Sequence, residues 1–328
     1  MKEIIITKSE LDKLLEDILK KHKLVAPVNV DNLILFQNVD SIDRIVFDYA
    51  NTVKPVKELF FPQRETLFTY SGSQTVMAEV QSASSVIFGV RPCDIRSLLI
   101  LDKAFDGDYK DPYYIEKRKN TVLLGLSCEE PEPSCYCTSF NSGPHSGEGM
   151  DALFTKLSNN RYYVEIFTEK AEQIFQKHNI PADVNSKNEK QSHKELSEKK
   201  IKSHITVPDL DRILQNEYWD KVSQKCITCG ICRFLCATCY CFSLADEKKE
   251  RVKFWAACTF PSFTKEAAGS NPREKKVDRY KQWYYHKFSN HKKNYDEHLC
   301  SGCGRCIRMC PVKINFTEVI KNAESVYS

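Results

Sequence analysis

The sequence lacks long apolar segments. No hydrophobic run in its 328 residues approaches the roughly 18 consecutive apolar residues that indicate a membrane-spanning helix, so we expect no membrane association. Residues 1–15 carry charges where a signal peptide needs an apolar core, which argues against secretion. We therefore expect a cytoplasmic protein.

The sequence also lacks the short motifs of nucleotide-binding and hydrolytic enzymes. No GxGxxG follows a predicted strand and no GxxxxGK[ST] occurs, so the residues make no case for a flavin, nicotinamide or nucleotide site. Neither an HExxH motif nor a Ser/His/Asp constellation is present, and His286 is an isolated histidine. We therefore predict no catalytic residue in this chain.

Cysteine, in contrast, is abundant, with 15 residues. Thiols stay reduced in the cytosol, so grouped cysteines in a cytoplasmic protein indicate metal ligands more often than disulfides. Twelve of the 15 fall into three groups, and these groups decide the interpretation.

Hydrophobic periodicity predicts an α/β region at the start of the chain. Thr7 and Glu10 have the spacing of a capping box before a helix, and residues 169–178 favour another helix. Strands are predicted at 33–36, 44–49, 85–90 and 121–126, and a hairpin at 151–157 and 161–167. A helix at 94–105 between two of these strands indicates a βαβ unit with parallel strands.

The polar segment 183–202 separates two regions of different character. It reads as a linker or a solvated helix, and we place the domain boundary there. Residues 1–182 are predicted to form the α/β domain with a third iron–sulfur site, and residues 203–328 a mainly helical, dicluster ferredoxin-like domain. The expected fold class is α+β.

Two cysteine motifs in the second region have the form C-x2-C-x2-C-x3-C. One runs from Cys226 to Cys236 and the other from Cys300 to Cys310, which Pro311 follows. This spacing is that of bacterial ferredoxins that bind [4Fe–4S] clusters, in which the fourth cysteine of each motif ligates the other cluster. We therefore assign Cys226, Cys229, Cys232 and Cys310 to cluster one, and Cys300, Cys303, Cys306 and Cys236 to cluster two.

Zinc is the competing interpretation of these motifs. Structural zinc typically takes two pairs of ligands, so a third cysteine at the same spacing would be superfluous, and it occurs twice here. In the first motif Ala237 follows the last cysteine, where the second motif has Pro311. Cys239 or Cys241 therefore remains open as the cluster ligand in place of Cys236. Cys239, Cys241 and Cys258 are otherwise small buried hydrophobes or reactive thiols.

A third cysteine group lies in the N-terminal region. Cys93 and Cys128 follow the two strands of the predicted βαβ unit, and Cys135 and Cys137 lie in the next loop. Because parallel strands end at the same edge of a sheet, the four thiols should meet beside a helix N-terminus. We expect a third [4Fe–4S] cluster there, with zinc as the alternative.

The chain is basic after residue 201, with 22 Lys and Arg against 14 Asp and Glu. Residues 248–293 combine 13 basic residues with aromatic residues that are able to stack on nucleobases. Oxidised clusters are anionic and account for nearby cations equally well, so we expect no nucleic-acid partner. A thiol/disulfide reductase using the extra cysteines and a zinc-dependent nucleic-acid-binding module remain the alternative functions.

Several segments together resemble one known family. They are residues 91–94 (RPCD), 128–137 (CEEPEPSCYC), 236–242 (CATCYCF), 255–258 (WAAC), 269–273 (GSNPR) and 286–288 (HKF), with Asp151 after a glycine-rich loop. The chain is similar from about residue 84 onward to the beta subunits of archaeal sulfhydrogenase-type NiFe hydrogenases and to a dicluster electron-transfer subunit of anaerobic sulfite reductase. Ala237 departs from the family pattern.

The resemblance implies a non-catalytic iron–sulfur electron-transfer subunit of an anaerobic oxidoreductase complex. Such a subunit would work between a catalytic subunit that holds NiFe or sirohaem and a flavin-containing, NAD(P)H-linked subunit. The two motifs and the absence of a substrate site agree with that role.

Overall fold

The computed structural model describes residues 2–72, 74–79, 84–177 and 180–326. The strands are β1 Lys2–Thr7, β2 Lys23–Val30, β3 Leu33–Asn38, β4 Arg64–Ser71, β5 Gln74–Met77, β6 Ser85–Val90, β7 Thr121–Leu126, β8 Ala152–Leu157, β9 Arg161–Ile166, β10 Phe242–Glu247 and β11 Glu250–Trp255. The helices are α1 Lys8–Lys21, α2 Pro92–Phe105, α3 Pro112–Lys119, α4 Glu169–Ile174, α5 Val184–Lys200, α6 Tyr218–Ser223, α7 Ile231–Phe234, α8 Lys276–Tyr285, α9 His291–Tyr295, α10 Arg305–Arg308 and α11 Phe316–Glu324. A π-helical turn, His286–Asn290, joins α8 to α9.

The N-terminal region is built on a seven-stranded sheet of order β1-β9-β8-β7-β6-β2-β3. Its central strands β6 and β7 are parallel, and α2 lies between them in the chain, which confirms the predicted βαβ unit. Apolar clusters cover the sheet, and α1 contributes Leu11, Leu14, Leu15 and Ile18 to one of them. The chain is thus an α+β protein, as predicted.

Local signals set several of these elements. The Thr7 side chain accepts the Glu10 backbone N–H, and the Glu10 carboxylate accepts the Thr7 backbone N–H, so the predicted capping box begins α1. The predicted hairpin forms as β8 and β9. The helix predicted at 169–178 ends at Ile174, and His178 lies outside the described residues.

The prediction of a strand at 44–49 is wrong, because no strand forms there. Only Ile45 makes an isolated bridge, to Val28. The carbonyl groups of Phe47 and Tyr49 instead accept hydrogen bonds from the buried Arg91 guanidinium, which replaces the strand partner that these carbonyls would need.

A second sheet, of order β10-β11-β4-β5, is fully antiparallel. Neither the β10–β11 hairpin nor its pairing with β4 is predicted from the sequence. The register places Phe242 opposite Trp255, so Cys241 and Ala256 lie at the same end of the hairpin. This end of the sheet faces the cysteine-rich loops.

The polar segment 183–202 forms α5, the second of the two structures that its composition allows. It packs against the first sheet, where Lys190 lies 2.6 Å from Glu165 of β9. Ser197 Oγ lies 2.9 Å from Nε2 of His145, in the loop between β7 and β8. The division of the chain into residues 1–182, 183–202 and 203–328 stays a prediction.

Short helices and loops around an aromatic core make up most of the remaining chain. Trp219, Tyr284, Phe288 and Phe316 are buried in this core together with several cysteines. None of the described helices combines the length and the apolar character required to cross a membrane.

Candidate metal centre

The two ferredoxin-type motifs adopt the same local structure. In each, a glycine with positive φ, Gly230 at 79° or Gly304 at 73°, precedes a four-residue helix, α7 or α10. A Cβ on Gly304 would lie 2.5 Å from the Ser134 carbonyl oxygen, so only glycine fits against the neighbouring loop. This turn aims the cysteines of each motif at a common space.

The four cysteines predicted for cluster one surround a single cavity, which we call the cluster-one site. Cys226, Cys229 and Cys232 line it from the first motif, and Cys310 and Cys306 reach it from the second. Cys310 belongs to the second motif but lines the cavity of the first, as crossed ligation requires. Cys229 is the exposed member of this set.

Backbone N–H groups point at the thiols of this cavity. The Thr228 N–H lies 3.4 Å from Cys226 Sγ, and the Ile314 N–H lies 3.3 Å from Cys310 Sγ. Backbone N–H groups in these positions can donate to metal-bound sulfur atoms. The cavity therefore offers hydrogen-bond donors to sulfur ligands of a bound metal.

The cysteines predicted for cluster two lie deeper in the protein, and we call them the cluster-two site. Cys300 and Cys303 are buried, and the Tyr136 hydroxyl lies 3.7 Å from Cys300 Sγ and 3.9 Å from Cys306 Sγ. Cys236 reaches the same region, because Lys287 Nζ donates to its sulfur at 3.3 Å and also to the carbonyl of Leu299.

The N-terminal cysteines meet where the βαβ unit places them, and we call them the cluster-three site. The residues that line this cavity include Cys93, Cys128, Cys135, Cys137 and Cys303. Cys93 is the second residue of α2 and Cys128 lies two residues after β7, so both lie at the carboxyl edge of parallel strands. The presence of Cys303 makes this cavity a neighbour of the cluster-two site.

The bare thiols of the cluster-three site disfavour ionisation. Burial raises the pKa of Cys135 and of Cys137 to about 12, so both are neutral at pH 7 without a metal. A bound cationic core would displace these protons, which is how metal sites overcome such burial. Arg91, buried beside this cavity, supplies compensating positive charge.

The described thiols do not gather around a single point. Within residues 2–72, 74–79, 84–177 and 180–326, no three His, Cys, Asp or Glu side chains converge as ligands of one ion. The thiols surround cavities instead, which matches a cubane in which each of four irons takes one thiolate.

Three buried basic side chains that are not predicted from the sequence lie among the C-terminal cysteines. Lys57, Arg233 and Lys287 are each at most 3% exposed. Arg233 donates to Cys232 Sγ at 2.7 Å, whereas Lys57 donates to the carbonyls of Cys236 and Cys239. Across the described residues none of the three forms a salt bridge with a carboxylate. Buried cations need compensating negative charge, which thiolate-bound clusters supply.

The aromatic residues of the basic segment are turned inward. Tyr280, Trp283 and Tyr284 are buried, and Trp255 donates its indole N–H to the carbonyl of Phe61. Stacking on nucleobases requires an exposed ring face, so these side chains do not offer the platform that the nucleic-acid hypothesis needs.

Comparisons with known proteins agree with this chemistry. Residues 225–314 match the family described as a 4Fe-4S dicluster domain. The chain is 29% identical over 315 residues to sulfhydrogenase 2 subunit beta of Pyrococcus furiosus, an alignment that covers 91% of each protein. The search of solved structures gave no significant match. The chain therefore contains a 4Fe–4S dicluster domain and is a homologue of a sulfhydrogenase beta subunit.

Proposed function

We propose that this protein is an electron-relay subunit of an anaerobic, cytoplasmic oxidoreductase complex. The observation that carries the proposal is the contiguity of the three thiol-lined sites. Cys303, a cluster-two cysteine, also lines the cluster-three site, and Cys306, another cluster-two cysteine, also lines the cluster-one site. Clusters bound at such neighbouring sites supply single-electron transfer.

The proposed ligand sets are those expected from the sequence. Cluster one takes Cys226, Cys229, Cys232 and Cys310, cluster two takes Cys300, Cys303, Cys306 and Cys236, and cluster three takes Cys93, Cys128, Cys135 and Cys137. The convergence of each C-terminal set across two motifs supports crossed ligation, and the common cavity of the N-terminal set supports a third cluster.

One end of this series lies at the surface. Cys229 is the exposed cysteine among the 15, and Ile227 beside it is 58% exposed. Electron transfer between proteins requires a close approach of the two redox centres, so the Cys229 loop is the natural contact for one redox partner. The proposed partners are a catalytic subunit of the NiFe hydrogenase or sirohaem sulfite reductase type and a flavin-containing, NAD(P)H-linked subunit.

The partners come from homology, since the homologous protein is named as a sulfhydrogenase subunit. The test is to isolate the complex anaerobically and to compare the complete NAD(P)H-driven reaction with its two half-reactions. Cys303→Ser should abolish the complete reaction and leave intact both NAD(P)H-dependent dye reduction and dye-driven catalysis.

Ser301→Ala is the matched control, because it alters the same loop without removing a thiol and should preserve all three activities. A complete reaction that continues unchanged in the Cys303→Ser complex would contradict the relay.

A further inference from the structure

The loop that carries two of the proposed cluster-three cysteines also reaches the cluster-two site. Tyr136 lies between Cys135 and Cys137 in the sequence and is 1% exposed. Its hydroxyl oxygen lies 3.7 Å from Cys300 Sγ and 3.9 Å from Cys306 Sγ. One side chain therefore contacts two thiols of the cluster-two site from a loop of the cluster-three site.

Backbone and ring contacts fix the position of this hydroxyl group. The Tyr136 N–H donates to the Gly302 carbonyl at 2.9 Å, which ties the loop to the second ferredoxin-type motif. The phenol ring packs among aromatic residues, with its centroid 6.0 Å from that of Phe140 and 6.4 Å from that of Phe316. These contacts hold the hydroxyl group at the two sulfur atoms.

The chemistry of the groups decides the direction of the hydrogen bond. A phenol hydroxyl is both a donor and an acceptor, whereas a metal-bound thiolate has lost its proton and can only accept. The Tyr136 hydroxyl therefore donates to sulfur when Cys300 and Cys306 ligate a cluster. This side chain offers a cluster a hydrogen-bond donor that is shielded from water.

We propose that Tyr136 sets the reduction potential of cluster two by donating a hydrogen bond to the ligand sulfurs of Cys300 and Cys306. The proposal rests on the ligand set proposed for cluster two. Reduction adds one negative charge to a cluster and its sulfur ligands, so a hydrogen-bond donor stabilises the reduced form more than the oxidised form. The Tyr136 hydroxyl therefore raises the potential of the cluster that neighbours both other sites.

The test is the midpoint potential of cluster two in Tyr136→Phe, measured by EPR-monitored redox titration of the full chain purified without oxygen. The cluster-two signal is identified as the signal that Cys300→Ser alters. At the wild-type midpoint potential, the ratio of oxidised to reduced cluster two should be about tenfold higher in Tyr136→Phe, which equals a decrease of about 59 mV for a one-electron couple. The iron and sulfide contents and the midpoint potential of cluster one should match those of the wild-type protein.

Tyr285→Phe is the matched control. It removes the same hydroxyl group from the same aromatic core, where the Tyr285 hydroxyl donates to the Leu210 carbonyl instead of to sulfur. It should leave the midpoint potential of cluster two unchanged. Replacement of Tyr136 by a ring-fluorinated tyrosine makes the hydroxyl a stronger donor and closely keeps the shape of the ring, so it should raise this potential even where Tyr136→Phe fails to fold.

An unchanged midpoint potential in folded Tyr136→Phe or in the fluorinated protein would overturn the proposal and leave the cluster assignment intact. An equal decrease in Tyr285→Phe would also overturn it, since the effect would then not depend on the contact with sulfur. A wild-type protein without a cluster-two signal would overturn the ligand set and the proposal together.

Discussion

Arg305 and Asp94 form a fully buried, two-pronged ion pair. The guanidinium nitrogens lie 2.9 and 2.8 Å from the two carboxylate oxygens, and neither residue is exposed to solvent. Asp94 directly follows Cys93, and Arg305 lies between Cys303 and Cys306. The pair therefore locks the cluster-three cysteine of α2 to the second ferredoxin-type motif.

Removing one partner of this pair should be severely destabilising. We expect Asp94→Ala to lower the free energy of unfolding by about 3–5 kcal/mol, because the Arg305 charge stays buried without its anion. Anaerobic chemical denaturation measures the change. The single variants Asp94→Leu and Arg305→Met complete a double-mutant cycle. The double variant Asp94→Leu/Arg305→Met should lose less free energy of unfolding than these two single variants lose in sum, and strict additivity would contradict the coupling.

Gly302 is required where the Cys135–Cys137 loop crosses the second motif. Its φ is 64°, and a Cβ would lie 2.5 Å from backbone atoms of Tyr136 and Cys137. Gly302→Ala should cost about 1–2 kcal/mol for the left-handed backbone and about 1–3 kcal/mol more for the clash. Gly269→Ala is the control, because Gly269 has a φ of 89° and open space around it. Equal loss of stability in the two variants would argue against the clash.

Lys287 should raise the reduction potential at the cluster-two site. Its buried ammonium group lies 3.3 Å from Cys236 Sγ, so it stabilises the added negative charge of reduction. A charge interaction of roughly 4 kcal/mol, at about 4 Å and an effective dielectric constant of about 20, corresponds to a shift on the order of 100 mV. Lys287→Met should lower the midpoint potential by that order in an EPR-monitored redox titration. Lys287→Arg, which keeps the charge, should shift it far less.

His145 should make stability depend on pH. Its side chain is buried against Ser197, and burial lowers its pKa from 6.5 to about 4, although Glu129 opposes this shift and His193 reinforces it. Between pH 6.5 and pH 4, His145 is therefore protonated in the unfolded chain and neutral in the folded chain. Stability from this group is complete above pH 6.5 and falls as the pH approaches 4, by at most about 1.4 kcal/mol per pH unit.

Comparing wild type with His145→Gln between pH 7.5 and 5 measures this contribution. The wild-type free energy of unfolding should fall more steeply than that of the variant as the pH is lowered. Parallel curves would show that His145 stays neutral, or is equally protonated, in both states.

The features that the sequence predicts are those encoded locally or by established spacing. The βαβ unit, the capping box at Thr7 and the dicluster motifs depend on residues that are close in the sequence. Their patterns can therefore be recognised from the sequence alone. The convergence of Cys93, Cys128, Cys135 and Cys137 could also be predicted, because parallel strands end at one edge.

Contacts between distant segments could not be predicted in this way. Lys57 meets Cys236 from 179 residues away, and β4 pairs with β11 across a similar distance. Neither contact has a local signature, and an isolated lysine usually indicates a solvated surface. The strand predicted at 44–49 failed for the same reason, since its carbonyls are taken by Arg91.

The most direct test of an iron–sulfur relay is the inorganic content and EPR spectrum of the full chain purified under strict exclusion of oxygen. We predict at least two [4Fe–4S] clusters, with about four irons and four labile sulfides each, and paramagnetic signals that appear on reduction. A folded protein that contains zinc or no metal, without labile sulfide and EPR-silent before and after reduction, would contradict it.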